Sequence, residues 1–168
     1  MKYSNAGFTL IELMAAVILA GILLAVAAPS FRSTLQNNRV TTQANQLVAA
    51  LNAARSEAID RGGDVTLCSS SDLATCAGAS NWANGWIMFT DGGTAGTVDG
   101  SDTVLRRWPA LQGGTTLTGP ANVQYQALGQ VVAGGSFQAS IRDCTGDHAR
   151  SIVVSISGVV SVSSAACP

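Results

Sequence analysis

Charge is scarce in this chain: 11% of its 168 residues are Asp, Glu, Lys or Arg, and the formal net charge is −1. Lysine occurs once, at Lys2, and histidine once, at His148. Nine basic residues against ten acidic ones leave no cationic surplus. That excludes the strongly basic surface by which a protein holds nucleic acid through counterion release. Signatures of chemistry are missing too. No G-x-S-x-G elbow and no C-x-x-C pair occurs, and neither an internal repeat nor a heptad array is visible. Apolar residues are abundant, at 47%, so a disordered chain is excluded, and the length fits one domain.

The apolar residues are unevenly spread. From Phe8 to Ala28 a single charge, Glu12, interrupts them. At the helical rise such a run covers about 30 Å, the thickness of a hydrocarbon core. A removable secretory signal fits poorly. Its basic region would be Lys2 alone, the run is too long, and a carboxylate sits inside it. An ionisable group at that depth is costly unless paired, which makes Glu12 functional by default; the plain alternative is a carboxylate that snorkels to the interface. Pro29 ends the apolar run, but helix-compatible sequence continues through Asn52.

From Phe31 to Arg61 the pattern turns amphipathic. Val40, Ala44, Leu47, Val48, Leu51, Ala54 and Ala58 recur at three- and four-residue steps and mark one buried face, read as core packing. Glu57 and Arg61 stand four apart in the favourable order, and Gly62-Gly63 supplies the positive φ that ends a helix. After Asp64 come short β-branched runs between turn residues. Strands are expected at Asp64–Cys68, Gly85–Thr90, Thr103–Trp108, Val123–Tyr125, Gln130–Val132, Ser136–Arg142, Ser151–Ile156 and Val159–Ser163. Ser157-Gly158 reads as a two-residue hairpin turn, and the glycine-rich stretches Asp91–Gly100 and Gly113–Gly119 read as loops. The fold class is α+β.

Ala6-Gly7-Phe8-Thr9-Leu10-Ile11-Glu12 resembles the cleavage and methylation motif of type IV prepilins and type II secretion pseudopilins. The resemblance implies a leader over residues 1–7, cut between Gly7 and Phe8 by a prepilin peptidase, and N-methylation of Phe8. It implies an assembly role for Glu12, paired with the amino terminus of an adjacent subunit, and a helix kink at Pro29. Ala53-Ala54-Arg55-Ser56-Glu57-Ala58-Ile59, Trp82-Ala83-Asn84-Gly85-Trp86-Ile87-Met88-Phe89 and Val104-Leu105-Arg106 narrow it to the FimT/FimU/GspH-type domain. Leu128-Gly129-Gln130 and Ser157-Gly158-Val159 are similar to its glycine-containing strand turns. The implied architecture is a transmembrane and assembly helix over residues 8–30 and a periplasmic globular domain over 31–168. Within that domain an amphipathic helix (31–61) packs on antiparallel sheets (64–168).

The implied role is that of a non-catalytic minor pilin that primes a type IV pilus, is built into it and links other minor pilins to the filament. A type II secretion pseudopilin and a DNA receptor in transformation are the alternatives. Its implied partners are other minor pilins, the major pilin and the inner-membrane assembly platform. Its implied location is the bacterial inner membrane, single-pass with the C-terminal domain in the periplasm, and then the extracellular pilus. No cofactor is implied.

Cys68, Cys76, Cys144 and Cys167 would then lie in an oxidising compartment. Four cysteines allow three connectivities. Cys68–Cys76 and Cys144–Cys167 are favoured, the second closing a longer loop that stabilises by about 3 kcal/mol in the chain-entropy account. A zinc site would have only His148 to add, so none is expected. A lone loop histidine specifies no catalysis, and no catalytic residue is assigned. Asp91, Asp99 and Asp102 have the oxygen ligands for Ca²⁺ but not the EF-hand pattern, and turn-forming aspartate is the simpler reading. The segment where DNA-uptake relatives carry an arginine-rich turn reads Ser157-Gly158-Val159-Val160-Ser161, and Asp143 and Asp147 offset Arg142 and Arg150. DNA is therefore not an expected partner.

Overall fold

The computed structural model describes Gly7 and residues 9–168, the side chains of 26–30 excepted. The cleavage bond, the methylated Phe8 and the side chain of Pro29 lie outside the described residues. One helix, α1 (Leu10–Arg61), is followed by eight strands: β1 (Val65–Ser69), β2 (Gly85–Thr90), β3 (Val104–Pro109), β4 (Thr115–Thr118), β5 (Asn122–Tyr125), β6 (Gly135–Ile141), β7 (Ala149–Val154) and β8 (Val160–Ala165). By its contacts the chain divides into two compact units, Met1–Leu35 and Gln36–Pro168. Position 29 lies within α1, which the structure assigns as one element.

In the larger unit the strands form two antiparallel four-stranded sheets, ordered β3-β2-β1-β5 and β4-β6-β7-β8. Val40, Ala44, Leu47, Leu51, Ala54 and Ala58 of α1 are buried in one cluster with Leu67, Met88, Val123, Phe137 and Ile152. Half of these helix residues are alanine, and the strands supply the larger side chains of the cluster. Alternation in β1 and β2 is hidden because both faces are covered. Val65 and Leu67 join the main cluster. Cys68, Ile87 and Phe89 form a second cluster roofed by Leu73, Cys76, Val98 and Val104 from the neighbouring loops and β3. The helix ends as its glycines require: Gly62 takes φ 62°, its N–H donates to the Ile59 carbonyl, and Gly63 N–H donates to that of Ala58.

Three local expectations need correction. Gly113–Gly119 is not all loop, because Thr115–Thr118 forms β4; Thr115 and Leu117 point inward and Thr116 and Thr118 outward, an alternation masked by the flanking glycines. Gln130–Val132 is not a strand. After the tight turn at 126–130, Val132 N–H returns to Gln124 while Val131 N–H goes to Ile156, so no ladder continues beyond a single Tyr125–Val131 bridge. The β7–β8 turn has three residues, Ile156-Ser157-Gly158, not two. Gly158 N–H donates to Ser155 O (2.8 Å), Ser155 N–H donates to Val159 O (3.0 Å), and Gly158 takes φ 77°. A type I turn needs that left-handed residue before the strands can rejoin.

Candidate functional site

The smaller unit presents a helix apolar all round. Leu10, Ile11, Leu13, Met14, Val17, Ile18, Leu19, Ile22, Leu23 and Leu24 are each more than half exposed. Among the described residues no helix is long and apolar enough to cross a membrane. The physical demand remains: such a surface leaves water only if lipid or other helices cover it.

At the start of this helix Thr9 acts as the cap. Glu12 N–H donates to Thr9 Oγ1 (3.4 Å), Leu13 N–H donates to Thr9 O (3.1 Å), and the Thr9 hydroxyl faces Glu12 Oε2 at 3.5 Å. Thr9 and Glu12 occupy the Ncap and N3 positions, where a carboxylate also favours the helix dipole. The T-x-x-E spacing is the sequence signal for this cap. Glu12 is exposed, with no cation paired to it among the described residues.

The remaining candidates lie in the larger unit. Disulfides join Cys68 to Cys76 and Cys144 to Cys167, with Cα atoms 5.6 and 5.5 Å apart. Asp91 is buried and braces the β1–β5 region; its Oδ2 accepts from Thr66 Oγ1 (2.6 Å), Gly96 N (2.8 Å) and Gln124 Nε2 (3.1 Å). Asp102 accepts from the N–H groups of Gly92 and Asp99, and Asp99 from those of Thr94 and Ser101. The Thr94 N–H, with help from Ser101, holds the Asp99 carboxyl below the usual carboxylate range. These aspartates shape their own loop, and among the described residues no group of three acidic, histidine or cysteine side chains converges to hold a metal. His148 sits in the loop between β6 and β7 with no hydrogen bond to a nucleophile or carboxylate among the described residues.

Arg150 has a role the sequence did not suggest. Its guanidinium donates to Asn37 Oδ1 (2.6 Å), Thr41 Oγ1 (3.1 Å) and the Ala149 carbonyl (2.9 Å), tying β7 to α1. It is therefore committed inside the domain. An open groove of about 480 Å³ runs past Thr118, Ser136, Gln138 and Ser151, and no titratable side chain lines it.

A family model described as "Type II transport protein GspH" matches residues 43–158, more than half of the chain. The "Prokaryotic N-terminal methylation motif" matches residues 2–28. No curated protein matches significantly. Among solved structures, the type IV minor pilin FimU of Pseudomonas aeruginosa superposes with a TM-score of 0.60 at 19% identity, over 75% of this chain and 89% of that one. The minor pseudopilin EpsH from the Type 2 Secretion System of Vibrio cholerae gives 0.54 at 13% identity, over 75% and 97%. At these identities the likeness speaks for the fold, a helix packed on antiparallel sheets. The chain belongs to the GspH family, the minor pilins and pseudopilins of the type IV pilin-like class.

Proposed function

We propose that this chain is a minor pilin: a non-catalytic subunit that primes a type IV pilus, is built into it and links other minor pilins to the filament. The observation that carries the reading is the bare apolar helix beginning at Thr9 and Glu12 and continuing into a disulfide-tied GspH-family domain. The helix is held first by the inner membrane, single-pass with its C-terminal domain in the periplasm. It then passes into a bundle of like helices in the extracellular filament, and its surface stays out of water throughout. Gly7 and Phe8 form the bond cut by the prepilin peptidase, Phe8 is then N-methylated, and Pro29 bends the helix as it enters the bundle. The assembly platform, the major pilin and other minor pilins are its partners.

Glu12 is the assembly register. A carboxylate in a dry bundle must be protonated or meet a cation, and the amino group of the neighbouring subunit's first residue is that cation. The same pairing places this subunit below the outermost tip, since the tip subunit has none above it. A Glu12→Gln variant tests the reading, because it keeps shape and cap while removing the charge. It should be cleaved and inserted normally but recovered about tenfold less in sheared filaments, a loss of roughly 1.4 kcal/mol in assembly. Normal incorporation would leave Glu12 only its capping role.

A second reading, minor pseudopilin of a type II secretion system, is favoured by the family model itself and by EpsH. Deletion of the chain separates the two: loss of surface filaments supports the pilus, and loss of exoprotein release supports secretion.

A further inference from the structure

We propose that two hairpin tips of the larger unit, with Arg55 beneath them, form a docking surface for a carboxylate-bearing aliphatic segment of a neighbouring filament subunit. The proposal rests on the filament-subunit reading and specifies how the globular domain selects its neighbour. The turn at Gln126–Gln130 repeats the one at Ser155–Val159. Gln126 N–H donates to Gln130 O (2.8 Å), Gly129 N–H donates to Gln126 O (2.7 Å), and Gly129 and Gly158 both take φ 77°. The two tips are locked together. Val131 N–H donates to Ile156 O at 3.0 Å, and a Cβ on Gly158 would collide with the Gly129 carbonyl.

This joined tip displays side chains that its own fold does not use. Leu128 is 83% exposed and Ile156 70%, with Val159 and, on α1, Ile59 about half exposed. Turn apices ordinarily carry polar or glycine residues. Aliphatic groups on two fused apices, beside a third on the helix, gain only from a surface laid over them.

Beneath them lies a positive charge that no carboxylate pairs with among the described residues. Arg55 packs against Gly129, and its buried Nε–H has no acceptor. Glu57, close by on α1, is taken by Arg61 at 2.9 Å. Tyr125 is wholly buried beside Gly158, and its hydroxyl also lacks a partner. Burial pushes that phenol up to about 12, with Arg55 pulling the other way, so it is a protonated donor at neutral pH. Those two atoms are enclosed, but the half-buried Arg55 guanidinium is not wholly so, and a carboxylate laid over the tips would meet it in a charge-assisted pair, among the stronger ones available. The aliphatic rim argues for a protein segment over a free anion. A phosphodiester backbone would need several converging cations where this surface has one.

The test uses the full chain in the membrane of the producing bacterium. A photo-crosslinking amino acid replaces Ile156 in one version and Leu19, on the apolar helix, in another. The Ile156 probe should link to one filament subunit, through a peptide containing Asp or Glu. Arg55→Gln and, separately, Leu128→Ser should each lower that yield about tenfold and leave the Leu19 yield unchanged. Leu128 is exposed, so its variant reports docking and not folding. Arg55→Glu combined with an Arg in place of the partner's carboxylate should restore the link. A Leu19 link with no Ile156 link, an Ile156 link indifferent to both variants, or a link to nucleic acid overturns the proposal and leaves the filament reading standing. Absence of both links overturns the filament reading as well.

Discussion

At Gly158 the backbone is left-handed and the missing side chain leaves room for a carbonyl, whereas Gly62 shares the conformation with open space around it. The two glycines therefore answer alanine differently. Gly62→Ala should cost about 1 kcal/mol, the backbone penalty alone. Gly158→Ala should cost roughly 3 kcal/mol, because the tips must also separate. Urea melts of the two variants check this, and equal costs would mean that the tips are not locked. Asp72 gives a prediction in pH. Thr75 Oγ1 and N–H, Ala74 N–H and Ser70 Oγ all donate to its carboxylate and hold it far below the usual carboxylate range. A depressed folded pKa stabilises fully above the unfolded value, about 4. The contribution then fades as pH falls toward the folded one. The urea midpoint of an Asp72→Asn variant should accordingly fall less than that of the parent between about pH 5 and pH 2.

Among elements, the contact between α1 and β7 has the clearest single dependence. Arg150→Ala removes the hydrogen bonds to Asn37, Thr41 and the Ala149 and Asp147 carbonyls and should lower stability by about 1–3 kcal/mol. Leu47→Ala, in the main core, should cost about 2–5 kcal/mol, and calorimetric midpoints would rank the two. The buried face of α1 was legible in the sequence because a helical period needs no partner to be seen. Strand β2 was legible because an apolar run rich in aromatic and β-branched residues, Trp86 to Thr90, stands out between turns, and β6 because Phe137, Ala139 and Ile141 alternate with polar residues. Four residues of β4 were not, since the glycines on either side of Thr-Thr-Leu-Thr read as loop and outweighed a short β-branched stretch until a neighbouring strand gave it one inward face. The three residues after Gly129 failed for the opposite reason: their β-branched composition promised a strand, and tertiary bonds to a second turn redirected them. At the candidate site, Glu12 was legible as the one charge in an apolar run. The isolation of Arg55 was not, because the absence of a partner is a property of packing, invisible to spacing.

At the scale of the whole molecule, the disulfides and the core both belong to the unit Gln36–Pro168. A fragment of those residues made in an oxidising compartment should fold and show no thiol reactive toward a maleimide; four reactive thiols in a native fold would be the contrary result. The apolar helix draws nothing from that core: its side chains from Leu10 to Leu24 are exposed, and its cover comes from whatever surrounds it. Damage to the two units therefore differs in genetics as well as in structure. In the proposed filament role, a charge placed among Leu10 to Leu24 gives a subunit that can enter neither lipid nor bundle and is simply lost, a recessive defect. A lesion such as Leu47→Ala at its worst leaves the apolar helix intact and the unit Gln36–Pro168 unfolded. In the proposed filament role that helix still competes for places among its neighbours, so core mutations should act dominantly, poisoning assembly in cells that also make the normal chain.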